Sequence, residues 1–234
     1  MFTRSARFYD AIYSFKDYAK ETARIDALIR ERRSQARTLL DIACGTGLHL
    51  KYLQELYEVE GLDLDPELLK LARERLGDVP LHEGDMRDFD LGHRFDAVTC
   101  LFSSIGYMKT ERELGEALGA MARHLEPGGV LLVEPWLTPE AYRTPHLGSV
   151  FVDEDELAIA RMNVAEHGDG TSVIVFHYLV GTIEGIERFE ERHELGLFTH
   201  EQYLAAFRKA GLAVEHDEEG LMGRGLYLGT LQES

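Results

Sequence analysis

The chain has 234 residues, 44% of them hydrophobic, enough to bury one sizeable core with a small appendage. Forty-two acidic residues against twenty-five basic ones give a formal charge of −17, which repels nucleic acid and anionic membrane surfaces, and no Lys/Arg run offers a local exception. A small-molecule ligand is the expectation that survives.

Ten scattered histidines and two cysteines give no metal-ligand spacing, so no metal is expected. Cys44 and Cys100 fall in apolar, strand-like contexts and read as reduced, buried thiols of a cytoplasmic protein. The basic N-terminus lacks the apolar segment of a signal peptide, and no apolar run approaches membrane-spanning length.

In chain order, Phe8-Tyr9-Asp10-Ala11-Ile12-Tyr13 and Phe15-Lys16-Asp17-Tyr18 make an aromatic-rich opening. Ala19 to Arg30 reads as an amphipathic helix with Ile25, Leu28 and Ile29 on one face. Thr38 to Gly47 then reads as a buried strand, a tight turn and a helix N-terminus. Gly45 and Gly47 carry no Cβ, so the backbone there turns sharply and a ligand can approach it. The unpaired N–H groups of the following helix suit a carboxylate or phosphate. A dinucleotide fingerprint needs glycine where Leu50 stands, and Asp41 at the strand end also points away from it.

Leu50, Leu53 and Leu56 mark the first core helix, and Val59 to Asp63 a second strand ending in a carboxylate. That position suits a ribose diol, while Asp65 followed by Pro66 is a helix cap. Leu81 to Phe89 gives a third strand and its loop, where Asp85 can accept an amino group and Met86 can cover a ring face. Phe95 to Phe102 is a fourth strand breaking at Ser103 to Tyr107, a loop at the ligand-binding edge of a parallel sheet. Thr110 and Glu113 form a capping box for a long helix stopped by Pro127-Gly128-Gly129, and Val130 to Glu134 is a fifth strand. His124, in the last turn of that helix, reads as a complement to the helix dipole.

From 149 to 197 the pattern switches to period two, with Gly168-Asp169-Gly170 as a turn, and predicts a small antiparallel insertion. Thr199 and Gln202 open another capped helix, and strands follow at Leu212 to Glu215 and Gly225 to Gly229. One domain over 1–234 with an inserted sheet accounts for the whole pattern.

Asp41 to Gly47, Asp63, Asp85-Met86 and Pro127-Gly128-Gly129, in this strand–helix order, resemble class I S-adenosylmethionine (SAM) methyltransferases. The resemblance implies an α/β, Rossmann-like class I methyltransferase fold: a mostly parallel seven-stranded sheet with helices on both faces. A narrower likeness spans nearly the whole chain. Asp41-Ile-Ala-Cys-Gly-Thr-Gly47, Gly84-Asp-Met-Arg-Asp-Phe89, Phe102-Ser-Ser-Ile-Gly106, Glu134-Pro-Trp136, Leu197-Phe-Thr199 and Gly223-Arg-Gly-Leu226 resemble the TDP-3-amino-3,6-dideoxyhexose N,N-dimethyltransferases of macrolide sugar pathways.

The resemblance implies SAM as cofactor, a TDP-amino sugar as acceptor and a homodimer. Tyr9 and Tyr18 match aromatics of a cofactor-covering segment. Asp41, Ala43, Gly45, Gly47, Asp63, Leu64, Asp85, Met86, Leu101 and Phe102 form the expected cofactor site. Ser104, Tyr107, Trp136, Arg161, His177 and Arg224 form the expected substrate site, with Arg224 on the pyrophosphate, which a guanidinium fork suits. Arg161 and His177 fit an outward strand position equally well.

The reaction implied is in-line attack of a neutral amine on the sulfonium methyl. Relatives place histidine after Ser-Ser-Ile-Gly, where this chain has Tyr107. Tyrosine orients an amine well but is a poor base near neutral pH. Trp136-Leu137 is a second departure, at a point where relatives carry two aromatics. Other readings stay open: methylation of another small amine or hydroxyl, SAM binding without turnover, and a nicotinamide oxidoreductase, which Leu50 and Asp41 oppose.

Overall fold

The computed structural model describes residues 4–232, so positions 1–3 and 233–234 of the expected domain lie outside the described residues. Eleven strands and six α-helices are present among those residues. The strands of the main sheet are β1 (Thr38–Ile42), β2 (Glu58–Asp63), β3 (Leu81–Glu83), β4 (Phe95–Cys100), β5 (Leu125–Val133), β10 (Leu212–Asp217) and β11 (Leu226–Leu231). The second sheet holds β6 (His146–Glu154), β7 (Leu157–His167), β8 (Thr171–Thr182) and β9 (Gly185–Gly196). The helices are α1 (Tyr9–Ile12), α2 (Tyr18–Arg32), α3 (Leu48–Leu53), α4 (Pro66–Leu76), α5 (Glu111–Arg123) and α6 (His200–Lys209).

The main sheet has the order β10-β11-β5-β4-β1-β2-β3, with β11 antiparallel to both neighbours and the other pairings parallel. The chain builds outward from β1 through β2 to β3, then returns to lay β4 on the other side of β1. That reversal opens a crevice at the carboxyl ends of β1 and β4, the ligand position of open α/β sheets. Alternate residues of the central strands feed two buried layers. Leu40, Ile42, Val98 and Cys100 pack under α5 and α6, and Leu39, Ala97 and Leu132 pack under α2, α3 and α4.

Local chemistry sets the helix starts. Asp17 caps α2 by accepting from the Lys20 N–H, and Asp65 caps α4 ahead of Pro66. The Thr110–Glu113 and Thr199–Gln202 pairs both form complete capping boxes. Cys44 and Cys100 are free and buried. The antiparallel insertion spans 146–196, a few residues earlier than its alternation predicts, because β6 begins at His146.

Three local expectations need correction. Leu56 lies beyond α3 and is exposed, because the helix ends at Leu53. Helix α5 stops at Arg123 rather than at Pro127, whose turn is absorbed into β5. His124 does not serve the helix dipole as a cation. Its Nε2 lies 3.0 Å from the Leu91 N–H, which can only donate, while Nδ1 lies 2.8 Å from the Ala120 carbonyl. The ring is therefore neutral and spans two backbone groups, stacked 4.2 Å from Phe89.

Candidate active site

At the carboxyl ends of β1 and β4 the backbone is strained. Ala43, Phe102 and Ser103 are the three non-glycine residues with positive φ among the described residues, at 56°, 50° and 62°. Each needs support. The Phe102 N–H donates to Glu134 at 2.7 Å, and the Ser103 hydroxyl bridges the Pro135 carbonyl at 2.7 Å and Arg224 at 2.8 Å. Gly45 follows Ala43 at φ 58°, and a Cβ there would meet no protein atom within 4 Å. It would project into open space beside the strand ends, where a ligand can lie against the backbone.

That space is a cleft of about 470 Å3 whose lining includes Tyr9, Ala43, Gly45, Asp63, Leu64, Asp85, Met86, Ser104 and Tyr107. A small pocket of about 30 Å3, lined by Tyr18, Asp41, Leu101 and Phe102, shares Tyr9, Ala43, Gly45 and Ser104 with it. Thirteen of the predicted site residues thus converge on one crevice. Gly47 stands just behind it at the start of α3, where Leu76 and Ala72 leave no room for a side chain.

Asp63, at the end of β2, accepts from the Gly45 N–H and the Asp65 N–H, both at 2.8 Å. Burial raises its pKa, and the two N–H groups work against that rise. Each carboxylate oxygen keeps lone-pair capacity for a diol. Asp41 is buried deeper, accepts from the Thr99 hydroxyl at 2.7 Å, and has its pKa pushed up to about 6 by burial. Asp85 is engaged by the Arg87 guanidinium, which holds its carboxyl below the usual range. Met86 lies beside it in the same cleft.

The remaining expected residues divide. Arg161 is buried on the inner face of β7, with Nη1 3.1 Å from the Tyr13 hydroxyl and its guanidinium 4.6 Å from the Phe176 ring centroid. Its Nε has no hydrogen-bond partner among the described residues. Arg224 is half-buried over the Trp136 ring at 5.2 Å and reaches the strand end through Ser103. Trp136 lies beneath the 104–107 turn rather than in the cleft, its indole N–H donating to Ser172 at 2.8 Å. His177 is outside the site. Register pairs Arg161 with Tyr178 but His177 with Met162, so successive residues face opposite sides, and His177 meets Glu190 at 3.0 Å on the outward face.

The structure also supplies residues that the sequence reading missed. Lys16, Glu21 and His49 form a buried chain, with Glu21 2.9 Å from Lys16 and 2.8 Å from His49. The Lys16 ammonium lies 4.0 Å from the Phe102 ring centroid, bordering the small pocket. His193, on the inner face of β9, lines the cleft opposite Tyr107 with its Nδ1 2.8 Å from that hydroxyl. A polar pair at Glu191 and His193, set between Phe189 and Leu195 on the inward alternation, was the available signal.

A strand-end carboxylate facing the cleft, a Cβ-free turn, a thioether in the cleft wall and a buried cation beside it fit SAM. The fold and this site define a class I SAM-dependent methyltransferase. Residues 39–129 match the methyltransferase domain family. The chain is 43% identical to the dTDP-3-amino-3,6-dideoxy-alpha-D-glucopyranose N,N-dimethyltransferase of Streptomyces fradiae, covering 96% of this chain and 89% of that protein. It is 44% identical to the dTDP-3-amino-3,4,6-trideoxy-alpha-D-glucopyranose N,N-dimethyltransferase of Streptomyces venezuelae, covering 96% and 97%. Among solved structures it is similar to SAM-bound CalS10, an amino pentose methyltransferase from Micromonospora echinaspora, with a TM-score of 0.88, 42% identity and coverage of 96% and 97%. The chain belongs to the dTDP-amino-sugar N,N-dimethyltransferase family.

Proposed function

We propose that this enzyme dimethylates the amino group of a TDP-3-amino-3,6-dideoxyhexose. The observation that carries the reading is Tyr107 in the same cleft as Gly45, Asp63, Asp85 and Met86, so an acceptor at Tyr107 adjoins the cofactor site. Bound SAM supplies a reactive sulfonium methyl. The chain's own residues do the positioning: Asp63 receives the ribose diol, Asp41 and the Ala43–Gly47 turn fix the backbone of the crevice, and Tyr9 and Tyr18 close over it. Leu64, Met86, Leu101 and Phe102 exclude water, which would otherwise solvate the amine.

Ser104 and Tyr107 face the acceptor. Arg224 is assigned to the pyrophosphate, and Arg161, a buried guanidinium with an unpaired Nε, supports an anionic group nearby. The relatives' names specify different sugars and amino positions, so the acceptor assay decides the hexose.

Mass spectrometry of a TDP-3-amino-3,6-dideoxyhexose incubated with SAM and the protein should record one and then two added methyl groups. No gain, with SAM binding demonstrated by calorimetry, would move the acceptor to another amine or hydroxyl. Arg224→Ala should raise the acceptor KM by about 10-fold or more, as expected for a lost charge-assisted contact, and leave SAM affinity intact.

The assembly proposed is a homodimer. Leu147, Phe151, Met162, Val164, Leu179 and Ile186 are all exposed along the outer face of the inserted sheet, an apolar surface of the kind that marks an interface. The strong negative charge argues against nucleic acid or anionic membrane partners. No helix among the described residues is long and apolar enough to cross a membrane.

A further inference from the structure

Tyr107 is a weak base, but its hydroxyl has a stronger one behind it. His193 Nδ1 lies 2.8 Å away, and the imidazole is 3% exposed. Glu191, two residues earlier on the same inward face, puts Oε2 3.8 Å from His193 Nε2. Its Oε1 accepts from the Arg4 and Ser5 N–H groups, and its Oε2 from the Ser5 hydroxyl. Burial raises this carboxyl, but the imidazole, the hydroxyl and the two N–H groups outweigh it and hold it down at about 2.

An ionised carboxylate on the Nε2 side favours a proton on Nε2, which leaves Nδ1 to accept from Tyr107. Burial, with Tyr13 and Asp63 nearby, pushes the phenol up, so it remains protonated and donates. The hydrogen-bond direction therefore runs from cleft to imidazole. This is the arrangement needed to carry a proton out of the cleft.

We propose that Tyr107, His193 and Glu191 form a proton relay in which His193 takes the proton that the amine loses, passed through the Tyr107 hydroxyl. The proposal rests on the amine-methylation reading above. In each transfer the nitrogen lone pair forms the N–C bond, the C–S bond breaks with its electron pair left on sulfur, and the new ammonium carries one proton too many. That proton moves to the Tyr107 oxygen as the hydroxyl proton moves to His193 Nδ1, giving an imidazolium opposite Glu191. Tyr107 is the catalytic residue of the three, while His193 and Glu191 act through it. Dimethylation requires the relay twice, because the monomethyl ammonium must lose a proton before it can attack again.

The groups around the imidazole suit this cycle. Glu191 faces it from β9, Tyr107 from the 104–107 turn, and the Phe176 ring from β8 at 5.2 Å. The Arg161 guanidinium lies 4.6 Å from the Phe176 ring centroid and 5.2 Å from that of Tyr13, whose hydroxyl it reaches. At the cleft rim, Lys109 and Arg192 both approach Glu194 at 3.6 Å, so their charges are offset there.

The experiment follows first and second methylation of TDP-3-amino-3,6-dideoxyhexose by wild type, His193→Gln and Tyr107→Phe from about pH 6 to pH 9, a range spanning imidazole titration. Both variants should lose about 100-fold in kcat at neutral pH, the low end of what a positioned acid–base group contributes, with the second methylation hit hardest. The loss should shrink as pH rises and free amine becomes abundant, a dependence that a merely structural role would not give. Adding His193→Gln to Tyr107→His, which brings an imidazole directly into the cleft, should cost little further activity. Nitrogen-15 NMR of the resting enzyme supplies a readout apart from turnover, with His193 protonated on Nε2 and not on Nδ1.

An active wild type whose pH profile and mono-to-dimethyl ratio are unchanged in His193→Gln overturns the relay and leaves the methylation reading standing. A wild type that makes no methylated sugar overturns the methylation reading, and a proton found on Nδ1 overturns the relay by itself. If His193→Gln does not fold, Tyr107→Phe, which removes one hydroxyl, decides the matter by the same profile.

Discussion

Asp63 combines two tasks that one carboxylate can perform because it has four lone-pair positions. It ties the Gly45 turn to the start of α4 through two N–H bonds, and it keeps acceptor capacity toward the cleft. Asp63→Ala should weaken SAM binding by at least about 100-fold, as expected for loss of hydrogen bonds to a charged group together with loosening of the turn. Calorimetry would test this, and a protein that binds SAM normally without the carboxylate would refute the assignment. Asp41 tests the cost of the site. Its folded pKa of about 6 lies above its ordinary 3.8, so the folded chain holds a proton that the unfolded chain has lost between those values. Stability of the ligand-free protein therefore falls as pH rises from 3.8 to 6, and the deficit stays constant above that. Asp41→Asn should stabilise the ligand-free protein by up to about 3 kcal/mol at neutral pH, given 1.36 kcal/mol for each pKa unit. The gain should vanish in denaturant titrations as pH falls to about 3, below both pKa values.

The turn between β1 and α3 shows why two glycines two residues apart are not equivalent. Both have positive φ, so any side chain costs about 1–2 kcal/mol of backbone strain. Gly45 faces open cleft, and Gly45→Ala should fold with a small loss of stability but bind SAM about 10-fold more weakly or worse, since a methyl group then occupies the ligand's side of the turn. A Cβ on Gly47 would lie 2.7 Å from Leu76 and 3.3 Å from Ala72, both buried in α4. Gly47→Ala should therefore cost about 2–4 kcal/mol in global stability, strain and overpacking together. Thermal melting with and without SAM would separate the two effects. The sequence marked this turn by composition alone, since glycine pairs after an apolar run need no partner to be recognised. It could not say which glycine faced the ligand, because that depends on where α4 packs.

At the scale of the whole molecule, the two sheets divide the work. The parallel sheet fixes the crevice, and the inserted sheet lays its inner face over the N-terminal segment, where Phe8 and Ile12 pack on Ile159, Tyr178, Val180 and Phe189. The aromatic opening thus splits: Phe8 is core, whereas Tyr9 turns to the cleft and reaches Tyr13 at 4.6 Å. The outer face keeps apolar side chains in solvent, Phe151 at 66% exposure and Leu179 at 50%. Light scattering at micromolar concentration should give a dimer, and Phe151→Glu should dissociate it without changing SAM affinity. A wild-type monomer would remove the dimer from the proposal.

The features legible in the sequence were those whose physics is local. Capping at Asp65-Pro66, Thr110–Glu113 and Thr199–Gln202 needs only neighbours three or four residues away, and strand periodicity needs only alternation. The carboxylates at the ends of β1 and β2 were also readable, because the ends of parallel strands share one edge of the sheet. What only the tertiary structure decided were meetings between distant segments. Tyr107 and His193 are 86 residues apart, and Glu191 finds Ser5 across 186. His124 became neutral because Leu91 happened to present an N–H, and His177 left the site because register turned it outward. A side chain's partners follow from packing and register, which depend on the whole chain at once, whereas its cap or its strand depends on a handful of neighbours.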